Sequence, residues 1–491
     1  MEDPGSRRGC RLNQVRLHAI ETNMPYKGHI RTTSVINDML LDTHNVHLPK
    51  YRGSRWIREG LPTTVEPWVL GKHASIEKDR ANHHALAEVL QRAISHRPWK
   101  WPKRPIFFLA DPHADAEAFT ASLVASGGIK KTGPGDLDIK PTKAGRKGTF
   151  IIGGDCLDKG PSNLELLRSI RNLMDSGVRV KLLAGNHDMR LLMGIRAIGM
   201  KRDIFTEHLF LRMGPKVVPL LAEVRDQYLG KKLDLRGIPD KRECRRRLFP
   251  SKQWFERFPK AATWLMSERS IERELVRMRK KLDSFEDACS DAGLSLREVY
   301  AAAQKCRQLF LKRKGEFGWF FRDMQLLYRS GSFLFIHAGL DDRIIHLVEE
   351  ESFAYLNRLF RKQIKHDLFE FYYGPLANTM RTKYRDVDMP LTHEGVERAY
   401  RQGVHAIVHG HRNRTNGQRI MLRQGMIHIE SDITMDRNSR RKEGLQGYGA
   451  GVTIVQPEGR VLGISTDYPY AKVFEPETFL QQHTRRAYAA K

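Results

Sequence analysis

Short, wholly apolar runs alternate along this chain with longer amphipathic stretches, the pattern of an α/β fold. Residues 106–110, 149–152, 178–184, 332–336 and 404–408 are β-branched or aromatic blocks of strand length, and each predicts a buried strand. Helical spacing fills the intervals. Leu86, Val89, Leu90, Ala93 and Ile94 share one face of a predicted helix over 77–96. Phe119, Leu123 and Val124 mark another, which Gly127 and Gly128 stop. A third carries Leu164, Leu167, Ile170 and Met174 behind Ser162, whose spacing to Glu165 has the form of a capping box. Residues 128–148 are rich in Gly, Pro and Lys and read as a surface loop. Residues 343–404 read as helix and loop, the last helix capped at Thr392, and 426–464 as short strands and turns.

Two segments break the pattern. Residues 1–75 mix basic and aromatic residues with prolines and show little periodicity. Residues 200–315 are basic, with a cluster at Lys231, Lys232, Arg236, Lys241, Arg242 and Arg245 to Arg247. Beyond it Ile271, Leu275, Met278, Leu282 and Phe285 repeat at four-three spacing. After Gly293 and a second capping pair, Ser295 and Glu298, the spacing resumes at Val299, Ala303, Cys306 and Phe310. This predicts a helical hairpin with a coiled-coil-like seam. The chain thus divides into a basic N-terminal extension with one amphipathic helix (1–100), an α/β body in two parts (101–200 and 319–468), a basic helical insertion (201–318) and a C-terminal tail (469–491).

Composition narrows the classes. At 491 residues and 40% hydrophobic, the chain can bury a sizeable core. It has no run of eighteen apolar residues, so no membrane span is expected, and its first residues lack the apolar core of a secretory signal. Five scattered cysteines without a Cys-x-x-Cys pair support neither a disulfide framework nor a thiolate zinc site, which fits a reducing, cytoplasmic setting. The net charge of +27 favours acidic partners: nucleic acid, phosphorylated protein, polyphosphate or an anionic surface.

Chemistry concentrates where the predicted strands end. Asp111 and His113 follow the first, Asp155 and Asp158 the second, Asn186 and His187 the third, His337 the fourth, and His411 the fifth. A lone histidine after a strand is usually a bonded loop residue; five such tips at one end of a sheet are hard to explain by capping. Mixed carboxylate, amide and imidazole donors suit borderline-hard divalent metals such as Mn²⁺, Fe²⁺ or Zn²⁺.

These blocks resemble those of the calcineurin-like metallophosphoesterases, closest to the phosphoprotein phosphatase and diadenosine tetraphosphate hydrolase branch. The blocks are Asp111 and His113, then Gly154 with Asp155, Asp158, Lys159 and Gly160, then Gly185 to Asp188, then His337, then Gly410 with His411, in that order across about 104–200 and 320–465. The resemblance implies a two-sheet α/β/β/α sandwich with the insertion added to it. It implies two divalent metal ions, a Mn²⁺ or an Fe/Zn-type pair. Asp111 and His113 would hold the first, Asp155 would bridge both, and Asn186, His337 and His411 would complete the second. His187 would be the general acid, and Asp158 would orient its ring and raise its pKa. Lys159 stands where the protein phosphatases carry arginine and would meet the substrate phosphate as a point charge. Asn413 stands where many relatives carry a further histidine. Asp115 reads as a helix cap and His409 as a core or supporting histidine, with Glu430 and Asp432 supporting the site from behind.

The implied reaction is hydrolysis of a phosphate monoester by metal-activated water. Phosphoserine or phosphothreonine in proteins is the first substrate expectation and a nucleotide or dinucleoside polyphosphate the second; the former needs an open groove, the latter a site enclosed by the insertion. The rival of another class is a nucleic-acid-binding protein with a structural metallophosphoesterase body, although no aromatic platform or recognised nucleic-acid motif accompanies the basic residues.

Overall fold

The computed structural model describes residues 46–57, 60–68, 83–230 and 234–489. Cys10, Lys231, Lys232 and the 77–82 portion of the first predicted helix lie outside them. The strands are β1 (Val65–Pro67), β2 (Ile106–Leu109), β3 (Ile129–Lys131), β4 (Ile139–Pro141), β5 (Thr149–Ile152), β6 (Arg179–Leu183), β7 (Met324–Gln325), β8 (Leu327–Ser330) and β9 (Phe333–Ile336), then β10 (Ala406–His409), β11 (Arg419–Arg423), β12 (Met426–Glu430), β13 (Gly451–Gln456), β14 (Arg460–Ser465) and β15 (Ala471–Phe474).

They form a mixed α/β architecture with two principal sheets. The larger runs β1-β15-β14-β13-β2-β5-β6-β7 and the smaller β11-β12-β10-β9-β8. β2, β5, β6 and β7 are parallel, as are β9, β10 and β12. Parallel strands are buried on both faces, which is why β2, β5 and β9 read as apolar runs without polar alternation. Phe108 and Ile151 of the large sheet share one core with Phe333, Phe335, Val408 and Ile429 of the small one. The rings of Phe108 and Phe335 stand 5.8 Å apart across it. Each such buried side chain contributes roughly 1.5–3 kcal/mol. On the outer face Phe107 packs on Phe150 at 4.8 Å, and the helices Ala116–Ala125 and Asn163–Asp175 cover the large sheet. The helix Phe353–His366 lies against β7 and β8.

Local expectations fared unevenly. Thr392 caps its helix through the Gly395 N–H, and Ser295 with Glu298 makes both halves of a capping box. Ser162 caps the Glu165 N–H, but the return bond from Glu165 is not made. Glu223 of the insertion takes its place, accepting from the Ser162 hydroxyl and the Asn163 and Leu164 N–H groups. Residues 128–148 are not a plain loop. β3 and β4 pair antiparallel there, followed by a short helix, Lys143–Lys147; three-residue lysine-bearing strands carry too little apolar alternation to announce themselves. Chain beyond the body also enters the large sheet, since β1 pairs with β15.

The insertion is helical, but its two long helices, Glu268–Asp291 and Leu296–Leu311, do not form the expected seam. The first packs on Leu209–Arg212 and on the turn at Pro215–Val217, with the Phe285 ring meeting Phe210 at 5.9 Å and Phe249 at 5.7 Å. The second packs on Val218–Val224, Lys241–Leu248 and the helix Asn186–Ala197. Four-three spacing announces a buried stripe and leaves its partner open; shorter helices in the same insertion supplied it. Much of the basic cluster is solvated, Arg246 and Arg247 each pairing with Glu243 at 2.6 Å.

Candidate metal centre

Five strand tips meet at one place: those of β2, β5 and β6 from the large sheet and of β9 and β10 from the small one. The backbone there is unusual. Asp111, His113, Ala114, Asp155, Asp158, Lys159 and His411 all have φ between 41° and 70°. That left-handed region is sparsely populated by non-glycine residues and gathers at functional sites. Gly154 (φ 88°) turns the chain between them. Gly410 is required for space, because a Cβ there would run into the Asp111 carboxylate.

Two groups of potential metal ligands result, Asp111 with His113 and Asp155, all buried, and Asp155 with His337 and a half-buried His411; within each group the ligand atoms lie within 4.8 Å of one another. Asp155 belongs to both. Each ring is held by its other nitrogen or its backbone. His113 Nδ1 lies 3.2 Å from the Leu157 carbonyl, His337 Nδ1 2.8 Å from the Gly153 carbonyl, and the His411 N–H donates to Asp111 Oδ2 at 2.8 Å. Nε2 of His113 and of His337 is thereby turned inward, 3.9 Å and 3.4 Å from Asp155 Oδ2.

The donor set fits a divalent cation. Asp111 Oδ1, His337 Nε2 and His411 Nε2 are buried without a hydrogen-bond partner, a state that costs free energy unless something else binds them. The Asn186 amide adds to this, since its oxygen faces His411 Nδ1, acceptor against acceptor, at 3.0 Å. Rotating the amide lets its nitrogen donate to His411 Nδ1. Charge agrees. Burial, then the nearby Asp432, raises Asp111 well above the ordinary carboxylate range. Burial opposes the charged forms of Asp155 and His337 as well, but their mutual attraction wins: Asp155 is held well below its ordinary value and His337 is pushed up to about 10.

His187 starts the helix Asn186–Ala197, its N–H donating to Asp155 Oδ1 at 2.8 Å and its Nδ1 lying 2.7 Å from Asp158 Oδ2. The pairing matches the sequence expectation; the direction of the shift does not. Burial, helped by the Arg190 and Lys159 cations, drives His187 well below its usual value despite the Asp155 charge. Burial also raises Asp158 to about 7. Lys159 is turned differently from the expectation, its ammonium 2.6 Å from His113 Nε2.

Asp115 caps the helix Ala116–Ala125 and pairs with Arg437 at 2.9 Å. His409 is buried between the Gly410 carbonyl and His428. Neither joins the ligand groups. Glu430 faces away from the site: Arg414, Arg419 and Arg423 each hold it at 2.8 Å, with Arg412 at 3.6 Å. Asp432 does reach the cleft.

Sequence reasoning passed over two supports. Asp188 accepts from the backbone N–H groups of Cys156, Leu157 and Gly185, tying the β5 and β6 tips together. Arg190 reaches the cleft one turn beyond Asn186, an i,i+4 relation the sequence contained.

No family model matches the chain, and no curated protein does. Among solved structures, a cold-active protein-tyrosine phosphatase of a psychrophilic Shewanella species is similar at 13% identity, covering 75% of this chain and 80% of that one with a TM-score of 0.37. A protein serine/threonine phosphatase from Saccharomyces cerevisiae is likewise 13% identical, covering 81% of this chain and 90% of that one with a TM-score of 0.35. Likeness at that level leaves the chemistry to the site's own residues.

Proposed function

We propose that this chain is a metal-dependent phosphoesterase. The observation that carries the reading is the pair of ligand groups sharing Asp155, with ligand atoms left unsatisfied. Asp111, His113 and Asp155 would hold one divalent ion, and Asp155, Asn186, His337 and His411 the other. The chemistry such a pair supplies when bound is polarisation of the phosphoryl oxygens and a water acidic enough to attack phosphorus at neutral pH.

The remaining residues handle charge and protons. Water adds to phosphorus, the bond to the leaving oxygen breaks, and that oxygen takes a proton. His187 is the donor. Asp158 holds Nδ1 and so fixes the tautomer, leaving Nε2 toward the site. Burial leaves His187 reluctant to carry a proton; a bound phosphate dianion would oppose that by adding opposite charge beside it. Arg190 and Lys159 neutralise the phosphate, Arg190 with its fork and Lys159 once it swings off His113.

Asp155→Asn tests the reading. It should remove bound metal, measured by elemental analysis, together with turnover of p-nitrophenyl phosphate. Full metal content with undiminished turnover overturns it.

A further inference from the structure

The metal groups form the floor of a cleft of about 830 Å³, one wall of which comes from the insertion and another from residues 372–389. That volume is within the roughly 300–1,000 Å³ of small-molecule sites. Ser270, Arg273, Arg277 and Lys281 line it from the helix Glu268–Asp291, at spacings of three, four and four that place them on one face. Arg212 and Lys216 line it from the preceding turn.

Acid is scarce in this wall. Glu274 serves two arginines, Arg212 at 2.6 Å and Arg277 at 3.9 Å, and also accepts from the Tyr373 hydroxyl at 2.9 Å. Among the described residues no carboxylate is paired with Lys216, Arg273 or Lys281. Like charges crowd together instead. Burial, then the Arg212 and Arg190 guanidiniums, lowers Lys281 to about 6. Cations crowded along a cleft wall are stabilised by a ligand of opposite charge.

We propose that Arg212, Lys216, Arg273, Arg277 and Lys281 form a second, metal-free anion subsite, so that the substrate is a small molecule carrying a further phosphate beyond the one that is cleaved. This deepens the phosphoesterase reading and rests on it. The insertion becomes the specificity element, with Met213, Leu265 and Met266 giving apolar surface to the organic part between the anions.

Inorganic triphosphate is the probe, in two arms on the full chain. In the first, with chelator present, calorimetry should show triphosphate binding tighter than orthophosphate by about tenfold, with Arg273→Gln/Arg277→Gln and, separately, Lys281→Met each removing most of that difference. In the second, with metal restored, the kcat/KM ratio of triphosphate to p-nitrophenyl phosphate should fall by about tenfold in the same variants, while bound metal stays at the wild-type level. The double arginine variant changes solvent-facing side chains, so it stands if Lys281→Met fails to fold. Equal affinity for the two anions, an unmoved ratio, or a preference for phosphopeptides over triphosphate overturns the subsite. A wild-type protein that binds triphosphate but hydrolyses no ester overturns the phosphoesterase reading instead.

Discussion

The floor of the cleft and its wall are built on opposite plans. On the floor, acids and imidazoles are buried apart from a half-buried His411, several held in strained backbone at the ends of parallel strands, and braced by backbone donors such as those Asp188 ties together. On the wall, long cations stand on helices and turns, from the buried Arg212 to the exposed Lys216 and Arg277, with Glu274 shared between Arg212 and Arg277. The floor needs position: a ligand displaced by an ångström no longer meets its cation. The wall needs only charge of one sign over an area, and flexible side chains supply that. On the proposed reading, reaction class and substrate choice are encoded in different parts of the chain, and substitutions should separate them.

The largest effect belongs to the floor. Asp155→Asn should cut turnover of p-nitrophenyl phosphate by well over the roughly 10–100-fold typical of a residue that merely supports a ligand, with bound metal lost in parallel. His187→Asn should keep its metal, yet slow esters with poor leaving groups by about 10²–10⁴-fold and those with good leaving groups less; equal losses on both would remove it as the proton donor. Asp158→Asn should show the same leaving-group dependence at about 10–100-fold.

Glu430 sharpens the comparison from a third side, as a buried carboxylate with an excess of partners. Burial alone would raise it, but Arg414 and its neighbours hold it well below the ordinary carboxylate range. Because its folded value is depressed, its contribution is present above the unfolded value near 4.5 and is lost only as pH falls through the depressed one. Glu430→Gln should lower stability at neutral pH by about 3–5 kcal/mol in denaturant titrations, and the deficit should shrink in acid. A variant as stable as wild type at pH 7 would mean that the arginines find other partners. The smallest effect concerns Lys159, whose ammonium lies on His113. Removing that cation in Lys159→Met should tighten divalent metal binding by up to about tenfold, read by calorimetry, while turnover falls.

The sequence was most legible where physics is local. The strands at 106–110, 149–152 and 332–336 were apolar because both of their faces are covered, and the structure has strands in all three. The tip residues could be picked out because only a few residue types bind metal and they recurred after each strand. It was least legible in the insertion. The stripe through Ile271, Met278 and Phe285 is buried as its spacing required, but against Phe210 and Phe249 rather than the helix that follows it. Glu223 and Asp188 escaped notice for a related reason, since their partners include residues more than thirty positions away.

By itself, then, the sequence determined the α/β class, the strands and the identity of the residues at their tips, because burial periodicity and ligand chemistry are properties of short segments. Only the tertiary structure decided that two sheets bring five tips together and that burial outweighs the Asp155 charge in setting the His187 proton. It alone aimed one face of the Glu268–Asp291 helix into the cleft. Each of these depends on distances between segments remote in sequence, and through-space electrostatics and desolvation follow those distances rather than chain order.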